Sequence, residues 1–388
     1  MKLLVISPRF PYPLEKGDKL RLYHQLRLLS EDFDIVLISL YDTKIEEKDL
    51  DHIKSIVSKV YIFPLMKIKI AFRLLLGVFS DRPFQVLYFL NNNHKKRIGE
   101  IVEKENPDLI YNQLIRTAEY SRDLKHFKVL DYMDSFSEGM RKRLDNSSFL
   151  FRLIYKEEYK RLKKYETVVF DDFNRHSIIS VQDKNTFSEE IKDKLNVVPN
   201  GVDITYFQSP GKKKKYDISF VGNMGYRPNI IACEYFKQKI LPLLKKEKND
   251  VKIIFAGARP HARVKALADN NIFISGWMED IRDAYDESKI FVAPIFTGIG
   301  QQNKILEAMS MELPVITTSA VNKAIGAEPG KEVIVADTGQ EFADAILRLL
   351  DNNELARQLG KASRKFVKNN YSWEYQYGKL KNLFPKNF

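Results

Sequence analysis

Cysteine is nearly absent from this 388-residue chain, where Cys233 stands alone. A single thiol excludes a disulfide framework and a cysteine-based metal site, and it fits a reducing cytosol. No window approaches the ~20 consecutive apolar residues that a membrane-spanning helix needs. The opening stretch, MKLLVISPRFPYP, has no long apolar core and no small-residue cleavage site. It is therefore expected to be a first strand rather than a signal peptide. Zinc-finger and RNA-binding aromatic signatures are missing, which ranks nucleic acid last among partners. The six histidines are scattered, so no bound metal is expected. There is no internal repeat, and the only biased segment is a short run of lysines.

Positive charge, by contrast, is plentiful. The chain has 63 Lys and Arg against 51 Asp and Glu, a net charge of +12. That excess favours a polyanionic partner, either an anionic membrane surface or a phosphorylated substrate; it is equally what lysine used as a generic solubiliser would give.

The length suits two domains rather than one core. Short apolar runs alternate with amphipathic stretches from the start: 2–8, 34–40, 59–65, 108–114, 127–133, 176–181 and 195–200. After a break at 199–215, which has Pro, Gly and four lysines and reads as a linker, the rhythm restarts. Its strands are expected at 216–222, 251–257, 272–277, 289–294, 314–318 and 332–337, followed by tail helices at 339–350, 354–369 and 372–384. Alternation of this kind predicts an α/β chain of two Rossmann-like, doubly wound parallel-sheet domains facing a cleft. The expected division is 1–205, 206–370 and a last helix, 371–388, crossing back to the first domain. In open parallel sheets ligands sit beyond the carboxyl ends of the strands.

One such end carries the most chemistry. VAPIFTGIGQQNKILEAM (292–309) runs from a strand through two glycines into a helix. Gly298 and Gly300 let the backbone approach a ligand closely. The free N–H groups at the helix start suit a phosphate. Lys304 places a cation in the first turn, against the dipole, which suggests an anion nearby. Glu307, about one turn on, is suited to a pair of ribose hydroxyls. Phosphate beside ribose describes a nucleoside diphosphate. An ordinary strand–loop–helix unit with a solvated Lys and Glu has the same spacing.

The second half resembles family 4 glycosyltransferases of the GT-B fold. The resemblance runs through VPNGVD (198–203), FVGNMGYRPN (220–229), IIFAG (253–257), ISGWMEDIRDAY (274–285), the 292–318 stretch, GKEVIVAD and YSWE (371–374). It is strong over 196–374 and weaker over 1–195, where SPRFPYPLEKGDKLRLYHQL supports it. The GxMxYxPN loop and QNKxLEAM helix are most similar to bacterial sugar transferases of exopolysaccharide clusters. The resemblance implies transfer of a sugar from a UDP- or GDP-sugar, with retained anomeric configuration, to a cell-surface glycan or lipid-linked acceptor, and no cofactor or metal.

It also implies roles. Glu307 matches the ribose-holding second glutamate of an E-x7-E motif, and Gly300, Gln301, Gln302 and Asn303 match the segment whose amides hold the phosphates. Trp277 and Met278 fall where the backbone frames the base; Gly222 and Asn223 fall in the nucleotide-side loop of the first donor-domain strand. Gly17 matches a glycine-rich loop facing the donor diphosphate, and it fits a simple helix-start turn as well.

The sequence departs from the pattern in three respects. The first glutamate of E-x7-E falls at Ile299. The usual Arg and Lys fall at Asn223 and Pro228, leaving Arg227, Lys304 or Arg9 to supply the charge. The usual histidine falls near Met133, beside Asp131, Asp134 and Ser135. Asp134 fits two roles, orienting an acceptor hydroxyl or capping the following helix. No hydrolase-type carboxylate pair is evident. Paired Rossmann domains also suit a sugar-nucleotide epimerase, which would need more acids and histidines, or a scaffold that has lost its sugar contacts.

Two segments are basic and apolar together. Residues 66–79, MKIKIAFRLLLGVF, suit an anionic membrane surface at the inner face of the cell membrane or packing on the sheet. Residues 149–165 suit the same two roles, and their apolar positions at i, i+3 and i+4 favour core packing there.

Overall fold

The computed structural model describes residues 1–144, 147, 149–297 and 302–385. The chain forms two compact units. Unit 1 comprises Met1–Pro199 and Gln376–Phe388; unit 2 comprises Asn200–Tyr375.

Unit 1 is built on β1 (Lys2–Ser7), β2 (Asp34–Tyr41), β3 (Lys59–Pro64), β4 (Leu109–Gln113), β5 (Phe127–Met133), β6 (Arg175–Ile178) and β7 (Leu195–Val197). They form one sheet in the order β3-β2-β1-β4-β5-β6-β7, and every pairing is parallel. Leu3 to Ile6 are wholly buried, as a central strand covered on both faces requires. The helix Gly17–Leu29 packs Leu22, Leu26 and Leu29 on this sheet. The same face carries Arg21, which is 0 % exposed because Asp131, at the carboxyl end of β5, receives it through Nε (2.7 Å) and Nη2 (3.0 Å). The strand order reverses between β1 and β4, and it is there that Rossmann-like sheets open a crevice at their carboxyl edge.

Unit 2 repeats the plan with β8 (Tyr216–Val221), β9 (Ile253–Ala256), β10 (Ile272–Gly276), β11 (Ser288–Ala293), β12 (Val315–Thr317) and β13 (Ile334–Val335). Their order is β10-β9-β8-β11-β12-β13, again parallel throughout. Here the reversal lies between β8 and β11. Helices follow at Gly339–Asp351, Asn353–Tyr371 and Trp373–Lys381, close to where periodicity puts them. The first starts with a capping box, Thr338 and Glu341 exchanging backbone N–H bonds.

Two expectations change. The 199–215 segment is no free linker. From Asn200 onward it belongs to unit 2, where Lys212 pairs with Asp283 (2.6 Å), Lys215 pairs with Glu287 (2.6 Å), and Lys214 donates to the Asp286 carbonyl. The lysine run answers an acidic cluster seventy residues downstream. The helix Phe149–Val168 also departs from simple core packing: Leu162 and Tyr165 are buried, yet Phe151, Leu153 and Ile154 are exposed. Periodicity identifies an apolar face but does not tell whether anything covers it.

Candidate functional site

The loop after β8 meets the helix after β11 at the switch point of unit 2. The helix Asn303–Ser310 sinks Ile305, Leu306, Ala308 and Met309 into the core, roughly 1.5–3 kcal/mol for each of the larger three. That leaves Asn303, Lys304 and Glu307 half-buried on the opposite face. At its far end Arg364 donates to the Ser310 carbonyl, a cation at the negative pole of the dipole. Gln302 is the N-cap residue and makes no side-chain cap bond to the backbone.

Lys304 is the hub. Its Nζ donates to Asn229 Oδ1 (2.7 Å) and Gln302 Oε1 (3.1 Å), and stands 5.4 Å over the Phe220 ring at the end of β8. Asn229 is fixed in turn by its Nδ2 donating to the Asn223 carbonyl at 2.9 Å. Burial pulls the ammonium down to about 8, against the raising field of Glu307. Among the described residues two of its three N–H donors are used, both on neutral acceptors. Glu307 accepts from Tyr285 Oη at 2.8 Å through Oε2. Burial raises its carboxyl, while the Tyr285 hydrogen bond and Lys304 oppose the rise. Oε1 has no hydrogen bond among the described residues.

Close backbone approach makes this geometry. Gly257 has φ +136°, and a Cβ there would lie 1.9 Å from the Gly222 carbonyl oxygen. A Cβ at Gly222 would in turn press on Asn229 Nδ2 (2.7 Å) and Lys304 Cε (3.2 Å). Gly257→Ala is expected to lower stability by roughly 1–3 kcal/mol from backbone strain alone, more with the clash. Calorimetric melting checks this; a variant that melts with the wild type would refute the close approach.

The other candidates are spread more widely. Asn223 is exposed, its Oδ1 accepting from Gly225 N. Arg227 is exposed at the start of the helix Arg227–Tyr235 and has no ion pair among the described residues. Trp277 is 73 % exposed after β10, whereas Met278 packs partly on the core. Gly300 and Gln301, like Gly298 and Ile299, lie outside the described residues.

In unit 1, Gly17 opens the helix Gly17–Leu29 and is exposed. Arg9, after β1, pairs with Asp18. Asp134 does not cap the helix Phe136–Leu144. Ser135 Oγ accepts from Glu138 N (3.3 Å) and Glu166 Oε1 accepts from Ser137 N (3.0 Å), which leaves the Asp134 carboxyl without a hydrogen bond among the described residues. Local desolvation and the nearby Asp183 push that carboxyl up to about 6. Asp134 is exposed, so solvent screens part of the shift. Met133, just before it, has φ +60°, a strained backbone at a strand end.

Sequence reasoning missed two residues of this cluster, Asn229 and Tyr285. Asn229 stands inside the quoted YRPN signature, which was the signal available. Tyr285 looked like an ordinary core aromatic.

Comparison with known proteins fits this geometry. Residues 215–352 match the family model described as glycosyl transferases group 1. An uncharacterized 44.6 kDa protein of the cps region of Klebsiella pneumoniae is 25 % identical over 395 residues, 95 % of this chain and 96 % of that one. Among solved structures, sucrose-phosphate synthase of Thermosynechococcus elongatus superposes with TM-score 0.67 at 12 % identity, covering 99 % of this chain and 98 % of the other. Anabaena HepE, solved in complex with UDP, gives 0.66 at 14 % identity over 98 % and 99 %. The chain has the two-unit architecture of the GT-B fold, and residues 215–352 match glycosyl transferases group 1.

Proposed function

We propose that the protein is a retaining hexosyltransferase that moves a sugar from a UDP- or GDP-sugar to a cell-surface glycan or lipid-linked acceptor, without a metal. The observation that carries this reading is the Lys304 cluster at the β8/β11 switch point. Among the described residues, a desolvated ammonium with one unused N–H lies beside a carboxylate with one unused oxygen. The first suits a phosphate oxygen and the second a ribose hydroxyl.

In such a transfer the barrier is dominated by charge building on the departing diphosphate, and preorganised cations and amides lower it. Lys304 and Arg227 supply the cations, and the start of the Asn303–Ser310 helix supplies the amides. In retaining transfer the leaving phosphate itself helps take the acceptor proton. Asp134, mostly ionised at neutral pH, can accept a hydrogen bond from the acceptor hydroxyl and orient it. The likeness to HepE, crystallised with UDP, supports a uridine donor, and the Klebsiella cps-region relative supports a surface polysaccharide product. The basic, outward-facing apolar residues of 66–79 support work on an anionic membrane at its inner face.

Thermal unfolding with and without millimolar UDP and GDP tests the reading. A nucleotide at 100 times its Kd should stabilise the protein by about 2.7 kcal/mol. Glu307→Ala should weaken that affinity about 10- to 100-fold, the cost of a hydrogen bond to a charged group, with the fold intact. No shift with either nucleotide overturns the donor site, and unchanged affinity in the variant overturns the ribose assignment. Conversion of free nucleotide sugar to an epimer, without acceptor, would identify an epimerase instead.

A further inference from the structure

Two arginines of unit 1 share one aromatic ring. The guanidinium carbons of Arg9 and Arg116 stand 5.8 and 5.3 Å from the Phe89 centroid. Arg9 follows β1 and Arg116 follows β4, the adjacent strands between which the order reverses. Arg116 also lies 4.6 Å over Phe136. Arg9 has one acid, Asp18. Arg116 pairs with no acid among the described residues; its Nη2 reaches only the neutral Gln85, at 2.6 Å. The Nε atoms of both arginines are buried without a hydrogen-bond partner among the described residues. Burial, then repulsion from Arg9, brings Arg116 down to about 10. Two cations share one ion-paired acid, Asp18, with Asp134 near Arg116 but not bonded to it, and two Nε donors are unpartnered among the described residues; an anion would relieve this costly arrangement. The planar guanidinium fork suits the paired oxygens of a phosphate or carboxylate, and phosphate is the one this inference commits to.

The surroundings indicate what carries the anion. On one side is a cavity of about 310 Å³ lined by Leu74, Phe84, Tyr88 and Phe89. On the other is a cavity of about 380 Å³ that includes Asp134, Ser135 and Asp183. Arg116 lines both, so one cavity is oily, the other is polar, and the cation stands between them. Leu74 comes from the helix Lys67–Leu76, whose neighbouring side chains are apolar and bare: Ile68 is 84 % exposed and Phe72 64 %, and Phe79 just beyond is 93 %. Single exposed apolar side chains are ordinary; a row this dense beside a cation-lined cavity is not.

We infer that Arg9 and Arg116 bind the phosphate of an amphiphilic acceptor, its alkyl chain in the cavity beside Leu74 and Phe84 and its polar end toward Asp134. The inference deepens the transferase reading by naming the class of acceptor, and it rests on that reading for the word acceptor alone; the binding site is testable by itself.

The probe is dodecyl phosphate below its micelle concentration, titrated into the full chain and followed by its phosphorus NMR line. Inorganic phosphate and the neutral dodecyl maltoside serve as the other arms. Dodecyl phosphate is expected to bind at least ten-fold more tightly than either. Arg116→Gln should weaken it ten-fold or more. Arg116→Lys, which keeps the charge but not the fork, should keep part of the affinity and guards against misfolding. Leu74→Gln should erase the advantage over inorganic phosphate while leaving inorganic phosphate unchanged. Equal affinity for inorganic phosphate overturns the amphiphile, and wild-type affinity in Arg116→Gln overturns the site. UDP stabilisation should persist in all three variants. UDP stabilisation without dodecyl phosphate binding therefore sinks this inference alone, and the reverse sinks the donor reading alone.

Discussion

Replacing Lys304 with Met should weaken nucleoside diphosphate binding about 10- to 100-fold, the range for a hydrogen bond to a charged group. It should also remove a pH dependence. In the wild type the ammonium is held down at about 8, so the cation is present at pH 7 and is lost as pH rises through 8. UDP affinity should therefore fall between pH 7.5 and 9 in the wild type and stay flat in the variant. The sign for stability is the opposite. A buried ammonium burdens the folded state until it deprotonates, so stability gains from this residue as pH climbs from about 8 toward its ordinary value of 10.5. Affinity and stability should thus diverge on the alkaline side. Isothermal titration at four pH values, with melting curves beside it, checks both. A wild-type affinity that is level through pH 9 would show that Lys304 does not face the phosphates.

The second large effect concerns folding. Asp131→Ala strands Arg21, a fully buried guanidinium, with its carboxylate gone. Breaking one side of a buried pair typically costs about 3–5 kcal/mol. For a unit of this size that is roughly 6–20 °C in melting temperature. The double replacement Arg21→Met with Asp131→Leu should recover most of the loss, because the desolvation of both charges is then avoided. The pair also has a positional consequence. It fixes the helix Gly17–Leu29 to β5, and Gln113 Nε2 holds the Asp18 carbonyl at 2.7 Å. Asp18 in turn holds Arg9. A single variant that melts with the wild type would mean the pair is not closed in solution.

The pattern of alternation was enough to anticipate all thirteen strands, because each is a short apolar run between punctuating residues. The order of those strands was not legible, since pairing joins residues a hundred positions apart, as Leu3 and Leu109 are. Arg21 illustrates the same limit. On its own helix it interrupts an apolar face, and only Asp131, 110 residues away, explains it. The site was half legible. Lys304 and Glu307 stood out by their place on a helix after a strand, but their partners Asn229 and Tyr285 come from distant segments that converge only in three dimensions. Charge runs misled in one place, for Lys212 to Lys215 looked like a tether until Asp283, Asp286 and Glu287 were brought against them.

The last stretch of unit 1 has a consequence for how the molecule is born. Leu380, Leu383 and Phe384 sit in the same apolar cluster as Leu3, Val5 and Leu37. The ribosome delivers those strands early and their closing helix hundreds of residues later, whereas everything unit 2 needs arrives in one uninterrupted run. Nascent unit 2 can therefore finish first, inverting the usual vectorial sequence. Unit 1 waits with an apolar seam uncovered until the last helix emerges.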